Sequence, residues 1–142
     1  MRVVIDTNIW ISGLLWQGLP WQLLRLAEQG RVELCLSYPM LQELSEVLAY
    51  PKLKPRLEKL GISLAELEAF VVSLAYFFDA PGSDEIIVAA DPDDDMILHC
   101  AISADAAFVV SGDRHLLDLG RYGDIPIISI NEFFALEFPE HQ

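Results

Sequence analysis

The N-terminal stretch Arg2-Val3-Val4-Ile5-Asp6-Thr7-Asn8 places three apolar residues directly before three polar ones. An unbroken run of branched apolar side chains is typical of a strand buried on both faces, as in parallel sheets. In open α/β sheets, ligands bind just beyond the carboxyl ends of the strands, which is where Asp6 is expected. With Thr7 and Asn8 beside it, Asp6 would suit a hard cation that takes oxygen ligands. The alternative is that Asp6 or Thr7 simply caps the following helix, and this stretch alone favours neither.

The rest of the chain alternates between strand-like and helix-like patterns. Further strands are predicted at residues 32–36, 107–110 and 125–128, and residues 86–88 form either a short strand or an irregular segment. Helices are predicted at residues 9–16 and 20–28, after the N-cap Ser37, at residues 63–78, 91–103 and 116–119, and from Asn131 onward. Such alternation indicates a βαβ series, and hence an α/β fold with a parallel sheet. Because the sequence has no internal repeat and no linker, residues 1–142 are predicted to form one domain.

The charge of the chain is strongly acidic. It carries 22 acidic and 9 basic residues, for a net charge of −13, whereas most nucleic-acid binders carry a basic surface that neutralises phosphates. Four of the basic residues fall within eight positions, namely Lys52, Lys54, Arg56 and Lys59. This basic segment is either an ordinary solvated face or a contact for a phosphate backbone.

Cysteine usage and hydropathy bear on the compartment. Cys35 and Cys100 stand alone in apolar surroundings, which is typical of buried thiols and not of a disulfide framework or a zinc site. The longest uncharged apolar run, residues 69–78, is much shorter than the roughly 18 residues of a membrane span. Since Asp6 also interrupts the N-terminal apolar stretch, no signal peptide is expected. A cytoplasmic protein that does not associate with a membrane is predicted.

Carboxylates follow the predicted strands at one end of the sheet. Asp6 ends the first strand, Glu43 lies about two turns into the helix after the second, and Asp113 follows the strand at 107–110. The helix before that strand opens with the cluster Asp91-Pro92-Asp93-Asp94-Asp95. All four groups can therefore meet at the same edge.

Helical spacing distinguishes the aspartates of that cluster. Asp94 precedes the inward residues Ile97 and Leu98 by three and four positions, so it continues their stripe. Asp91 falls one turn earlier on the same side, where it could be the N-cap. Asp93 and Asp95 point elsewhere and are explained by the helix dipole.

Several carboxylates in one pocket repel one another, by on the order of 4 kcal/mol for two charges about 4 Å apart at an effective dielectric near 20. Either some of them are protonated or a divalent cation neutralises them. Oxygen ligands without a His or Cys cluster favour Mg²⁺ or Mn²⁺, which could activate a water for phosphodiester cleavage. Asn8, Ser37 and Ser111 would then orient ligands or contact phosphate. The sequence contains no P-loop, no nucleophile elbow and no dinucleotide fingerprint.

Four motifs occur in order along the chain: Val4-Ile5-Asp6-Thr7-Asn8, Ser37 followed six residues later by Glu43, Asp91-Pro92-Asp93-Asp94, and Ser111-Gly112-Asp113. In this order and at these intervals they resemble the motifs of the PIN-domain family, from Met1 to about Phe134. The resemblance implies a three-layer α/β/α sandwich around a central parallel sheet. It also implies an Mg²⁺- or Mn²⁺-dependent ribonuclease whose acidic quartet is Asp6, Glu43, Asp94 and Asp113.

The same resemblance extends to biological context. Short PIN domains are similar to the ribonuclease toxins of prokaryotic toxin–antitoxin pairs, which implies an RNA substrate, a homodimer and a small antitoxin partner. Related sequences often carry Asn and a basic residue where this chain has Asp95-Met96. Either Asp94 or Asp95 could therefore face the metal, and helical spacing favours Asp94.

Two other functions compete with the nuclease hypothesis. A catalytically silent interaction module would account for the charge of −13 and for the apolar segment 70–78, which is expected to be buried by a partner subunit or by the core. A receiver-type phosphotransfer domain shares the clustered aspartates. It also requires a lysine at the end of its last strand, and residues 125–130 contain none.

Overall fold

The computed structural model describes residues 1–79 and 92–141, with the side chains of residues 92 and 93 excluded. The described strands are β1 (Arg2–Ile5), β2 (Glu33–Leu36), β3 (Tyr76–Phe77), β4 (Phe108–Val110), β5 (Arg121–Tyr122) and β6 (Ile125–Ile128). The described α-helices are α1 (Thr7–Leu15), α2 (Leu19–Glu28), α3 (Tyr38–Leu48), α4 (Lys54–Leu60), α5 (Leu64–Leu74), α6 (Pro92–Ala104), α7 (Arg114–Leu119) and α8 (Ile130–Glu137). Short 3-10 helices occupy Pro51–Leu53 and Pro139–His141.

The strands form one sheet in the order β3-β2-β1-β4-β6-β5. All neighbouring strands are parallel except β5 and β6, which form an antiparallel hairpin. Helices flank the sheet, so the predicted three-layer α/β/α sandwich is confirmed, with an antiparallel strand at one edge. The chain builds outward from β1 through β2 to β3, and then crosses back to place β4 on the other side of β1. The β1–β4 boundary is therefore the topological switch point, where α/β sheets bind ligands.

The central strand is fully buried, as its sequence predicts. Val3, Val4 and Ile5 have no solvent exposure, and α6 packs across β1, β2 and β4. Ile97 and Leu98 provide the inward face of that helix. Full burial of each such side chain contributes about 1.5–3 kcal/mol to folding, so the positions of β1 and α6 are strongly determined by the core.

Both cysteines lie in this core. Burial raises the pKa of Cys35 to about 11 and that of Cys100 to about 12. Both are free thiols and remain protonated at neutral pH, which confirms their interpretation as small buried hydrophobes.

The helix predicted for residues 63–78 is too long. Its start is correct, because Ser63 and Glu66 form a capping box. It ends at Leu74, however, because Ala75 adopts an extended conformation and the chain continues as β3. There Tyr76 and Phe77 pair with the exposed edge of β2. In the single chain Val72 and Tyr76 are each 50% exposed, so the core does not bury this segment on all sides, and its burial by a partner subunit stays a prediction.

Three further features of the fold differ from the sequence analysis or were missed by it. Helix α4 was not predicted, and Pro55 lies in its first turn, where proline is tolerated. The β5–β6 hairpin was not predicted, and its turn depends on Gly123, whose φ is +59°. The last helix begins at Ile130 with Ser129 as its N-cap, so Asn131 does not open it. The possible strand at residues 86–88 lies outside the described residues.

Candidate active site

A small acidic cavity lies at the switch point. Ile5 pairs with Val110, so the residues that directly follow β1 and β4 meet at the same edge of the sheet. The cavity has a volume of about 170 Å³ and is lined by Asp6, Thr7, Asn8, Glu43, Val47, Asp94, Ile97 and Asp113. The structure thus brings all four predicted carboxylates to one cavity, from four different parts of the chain.

Asp6 is held by hydrogen bonds to both of its carboxylate oxygens. Its Oδ1 accepts from the backbone N–H of Ile9 at 2.8 Å, which makes it the N-cap of α1. Its Oδ2 accepts from the hydroxyl of Ser111 at 2.6 Å and from the N–H of Gly112 at 3.0 Å. The two interpretations of Asp6 are therefore compatible, because the same carboxylate caps a helix and lines the acidic cavity.

Ser111 connects two of the carboxylates. It is fully buried, donates its hydroxyl proton to Asp6, and accepts the backbone N–H of Asp113 at 2.9 Å. Asp113 in turn caps α7, because its Oδ1 accepts from the N–H groups of His115 and Leu116. Ser111 does not line the cavity, and its hydroxyl instead links the carboxylate of Asp6 to the backbone of Asp113.

Glu43 is oriented by a residue that sequence reasoning did not assign to the site. The hydroxyl of Thr7 donates to Glu43 Oε2 at 2.6 Å across the gap between α1 and α3. The feature of the sequence that could have indicated this role is the position of Thr7, directly after Asp6 and at the start of a helix. Its partner depends on the packing of α1 against α3, which local spacing does not specify.

The aspartates of α6 differ in their placement. Asp94 is only 4% exposed and lines the cavity, whereas Asp95 is half-buried and does not. Asp91 lies outside the described residues, and the side chain of Asp93 is not described. The inward position that helical spacing predicted for Asp94 is the one the structure shows.

The remaining candidate residues differ in whether they line the cavity. Asn8 is exposed and lines the cavity. Ser37 is buried and does not line the cavity, and its hydroxyl accepts the N–H of Met40 and so caps α3. Its contact with a ligand stays a prediction. His115 is exposed and lies outside the cavity lining.

The side chains of the cavity are of the type that binds a hard divalent cation, but in this structure they are not arranged to hold one. Four carboxylates are the donor set that Mg²⁺ and Mn²⁺ prefer. Within residues 1–79 and 92–141, however, no group of three or more His, Cys, Asp or Glu side chains is arranged so that it could hold a metal ion. Asp6 and Asp113 are oriented by the helices that they cap, so side-chain movement would have to accompany metal binding.

Ser111→Ala should weaken both the fold and the site. The change removes a hydrogen bond to a charged group and leaves the N–H of Asp113 without its acceptor, which should cost about 1–3 kcal/mol of unfolding free energy in urea denaturation. Residues that orient metal ligands typically alter metal affinity by about 10–100-fold, so any stabilisation of the protein by Mn²⁺ should require a higher Mn²⁺ concentration in this variant. Ser73→Ala, which removes an exposed hydroxyl that does not line the cavity, is the control. Unchanged stability and Mn²⁺ dependence would show that Ser111 has no positioning role.

Fold and site together define an α/β protein with an acidic cavity at the switch point of its sheet. A family model for the PIN domain matches residues 2–115, which is most of the chain, and the protein therefore belongs to the PIN-domain family. PIN domains are generally nucleases.

Comparison with solved structures supports the fold. The chain is similar to one in the crystal structure of VapBC2 from Rickettsia felis bound to a DNA fragment from their promoter. The TM-score is 0.57 and the sequence identity 17%, with 89% of this chain and 97% of that chain covered. No curated protein matches the chain. In the described part of the chain, no helix has the length and apolar character that crossing a membrane requires.

Proposed function

We propose that this protein is an Mg²⁺- or Mn²⁺-dependent endoribonuclease that hydrolyses phosphodiester bonds. The observation that carries the proposal is the convergence of Asp6, Glu43, Asp94 and Asp113 on one cavity of about 170 Å³. Membership of a family of nucleases supports phosphodiester hydrolysis. The metal requirement follows from the donor set, and RNA as the substrate follows from the resemblance of the motifs.

Each residue of the cavity has a role in this proposal. The four carboxylates would hold the cation, which when bound supplies an activated water and neutralises charge on the phosphate. Thr7 and Ser111 keep Glu43, Asp6 and Asp113 in position through short hydrogen bonds. Asn8 is exposed at the cavity, where its amide can donate to a phosphate oxygen.

We place this enzyme in the cytoplasm as the toxin of a toxin–antitoxin pair, inhibited by a small protein and acting as a homodimer. The motif resemblance supports this context, as does the fold likeness to a chain of VapBC2, which was crystallised with promoter DNA. We further propose that residues 1–142 act as a single domain.

A catalytically silent interaction module is the second candidate. Two observations favour it: the net charge of −13, which repels RNA, and the lack of a preformed group of metal-binding side chains in the described residues. The two candidates predict different responses to metal, because only the nuclease requires a divalent cation in this cavity.

The discriminating experiment combines cleavage with thermal unfolding. Purified protein is incubated with single-stranded RNA and with a DNA of the same sequence, in EDTA and in millimolar Mn²⁺ or Mg²⁺. We expect cleavage of the RNA only with metal. Because an ion at 100 times its Kd adds about 2.7 kcal/mol to stability, we also expect a higher melting temperature in Mn²⁺. If Mn²⁺ changes neither cleavage nor melting temperature, the nuclease proposal is wrong and the interaction module is favoured.

A further inference from the structure

A second cavity, of about 350 Å³, adjoins the acidic one along α3. It is lined by Gln42, Glu46, Tyr50 and Met96, and it shares Glu43 and Val47 with the acidic cavity. We call this second cavity the α3 subsite. A group bound there would lie directly beside whatever the carboxylates hold.

The α3 subsite offers a flat aromatic surface. Tyr50 follows α3 and is 47% exposed, so much of its ring is open to a ligand. Lys52 Nζ lies 6.0 Å from the centroid of that ring, which places a positive charge next to the aromatic face. Unpaired RNA bases are recognised by stacking on such rings and by hydrogen bonds to their edges.

The charge of the protein favours base recognition over phosphate recognition. With a net charge of −13, the chain gains little from neutralising phosphates, which is the usual source of affinity for nucleic acids. Stacking does not depend on net charge and contributes about 1–3 kcal/mol per base. For an acidic enzyme, stacking close to the cleavage centre is therefore a more effective source of RNA affinity than contacts to phosphate.

The polar groups of the subsite also suit a base. Glu46 is exposed on α3 and can only accept hydrogen bonds when ionised. It would repel a phosphate but accept from the exocyclic amino group of adenine, cytosine or guanine. Uracil has no amino group, and its one edge donor, N3–H, lies between two carbonyl oxygens that a carboxylate would repel. Gln42 can both donate and accept, so it can pair with the rest of the base edge.

We propose that the α3 subsite binds an unpaired, amino-bearing base of the RNA strand next to the scissile phosphate, with the base stacked on Tyr50 and hydrogen-bonded to Glu46. This inference rests on the proposed ribonuclease function, whose acidic cavity it adjoins. It makes Tyr50 and Glu46 determinants of specificity and leaves the chemistry to the carboxylates.

The test measures the binding of fluorescent single-stranded RNA nonamers in Mg²⁺, in an Asp94→Asn background in which cleavage is expected to be strongly slowed. Tyr50→Ala should weaken binding by about 5- to 150-fold, which corresponds to the loss of one stacked base. Tyr50→Phe, which keeps the ring, should bind like the parent. Tyr50→Leu keeps an apolar side chain without an aromatic face, and it replaces Tyr50→Ala if that variant does not fold.

Tyr38→Ala is the matched control. Tyr38 is 67% exposed and lies at the other end of α3, where its ring stacks on Phe77 and does not line the subsite. We expect its removal to leave RNA binding unchanged. Glu46→Gln should reduce the preference for oligomers of adenine or cytosine over oligomers of uracil, because its amide can donate to a carbonyl oxygen.

The outcomes separate this inference from the proposed function. If the wild-type protein cleaves RNA, and Tyr50→Ala binds RNA as tightly as its Asp94→Asn parent, the subsite is wrong and the nuclease proposal stands. Loss of binding in Tyr50→Ala without any wild-type cleavage would support the subsite and contradict the nuclease. Equal weakening by Tyr38→Ala and Tyr50→Ala, or no RNA binding by any variant, would overturn the subsite.

Discussion

Asp94→Asn is expected to reduce RNA cleavage by at least about 100-fold, the scale on which an electrostatic contact to the reacting group contributes. Asp94 is only 4% exposed and lines the acidic cavity, so its loss removes one of four carboxylates available to a cation. The matched control is the adjacent Asp95→Asn, which carries the same chemical change outside the cavity lining. We expect that variant to stay within a few-fold of wild type, as measured by initial rates on the same RNA.

Asp94→Asn should also change the melting temperature of the protein, and the change should depend on whether metal is present. Two carboxylates about 4 Å apart repel by about 1–4 kcal/mol, depending on the local dielectric, so removing one buried charge from the cavity should raise the melting temperature in EDTA. Mn²⁺ should then stabilise wild type more than Asp94→Asn. If instead Asp95→Asn loses activity and Asp94→Asn keeps it, the assignment of Asp94 to the metal is wrong.

Most of the fold could be predicted from the sequence because β1, β2, β4 and β6 are short, mainly apolar runs. Those at 107–110 and 125–128 were placed within one residue, and β1 with its polar end identified the edge that binds ligands. Residues 75–78, the end of the segment 70–78, were misassigned to a helix for a physical reason. The continuous hydrophobicity of the segment fits a helix and a strand equally well, and the choice depends on the free edge of β2, to which Tyr76 and Phe77 pair.

The acidic site could be predicted only in part. The order of apolar and acidic residues placed the four carboxylates at one edge, and helical spacing distinguished Asp94 from Asp95. The hydrogen bonds that hold them could not be predicted. The Thr7–Glu43 and Ser111–Asp6 contacts join residues 36 and 105 positions apart, and they exist only because α1 meets α3 and because β4 lies beside β1.

The roles of the residues in the basic segment also could not be predicted from the sequence. Sequence alone could not divide Lys52, Lys54, Arg56 and Lys59 into separate roles. In the structure, Arg56 supports the fold, since its Nε donates to the carbonyl of Leu15 at 2.9 Å and its guanidinium lies 5.3 Å from the ring of Trp16. Lys52 instead lies beside Tyr50. Arg56 and Lys52 therefore have different surroundings in the structure.

Asp6→Asn is expected to affect cleavage and stability together, because Asp6 both lines the cavity and joins α1 to the end of β4. Asparagine is a good N-cap, so its oxygen can still accept the N–H of Ile9. Its NH₂ group then faces Ser111 and Gly112. The serine hydroxyl can accept from it, but the N–H of Gly112 cannot. Because Gly112 is exposed, water can replace the lost acceptor, and the expected cost of losing this hydrogen bond is about 1 kcal/mol.

We therefore expect Asp6→Asn to fold, to unfold at a lower urea concentration than wild type in EDTA, and to lose at least about 100-fold in cleavage rate. Ser63→Ala is the control for helix capping alone. It removes the N-cap hydroxyl of α5, far from the cavity, and should cost about 1 kcal/mol without slowing cleavage. Full activity in Asp6→Asn would mean that Asp6 serves only as a cap, and that the carboxylates of this cavity do not act as one metal-binding group.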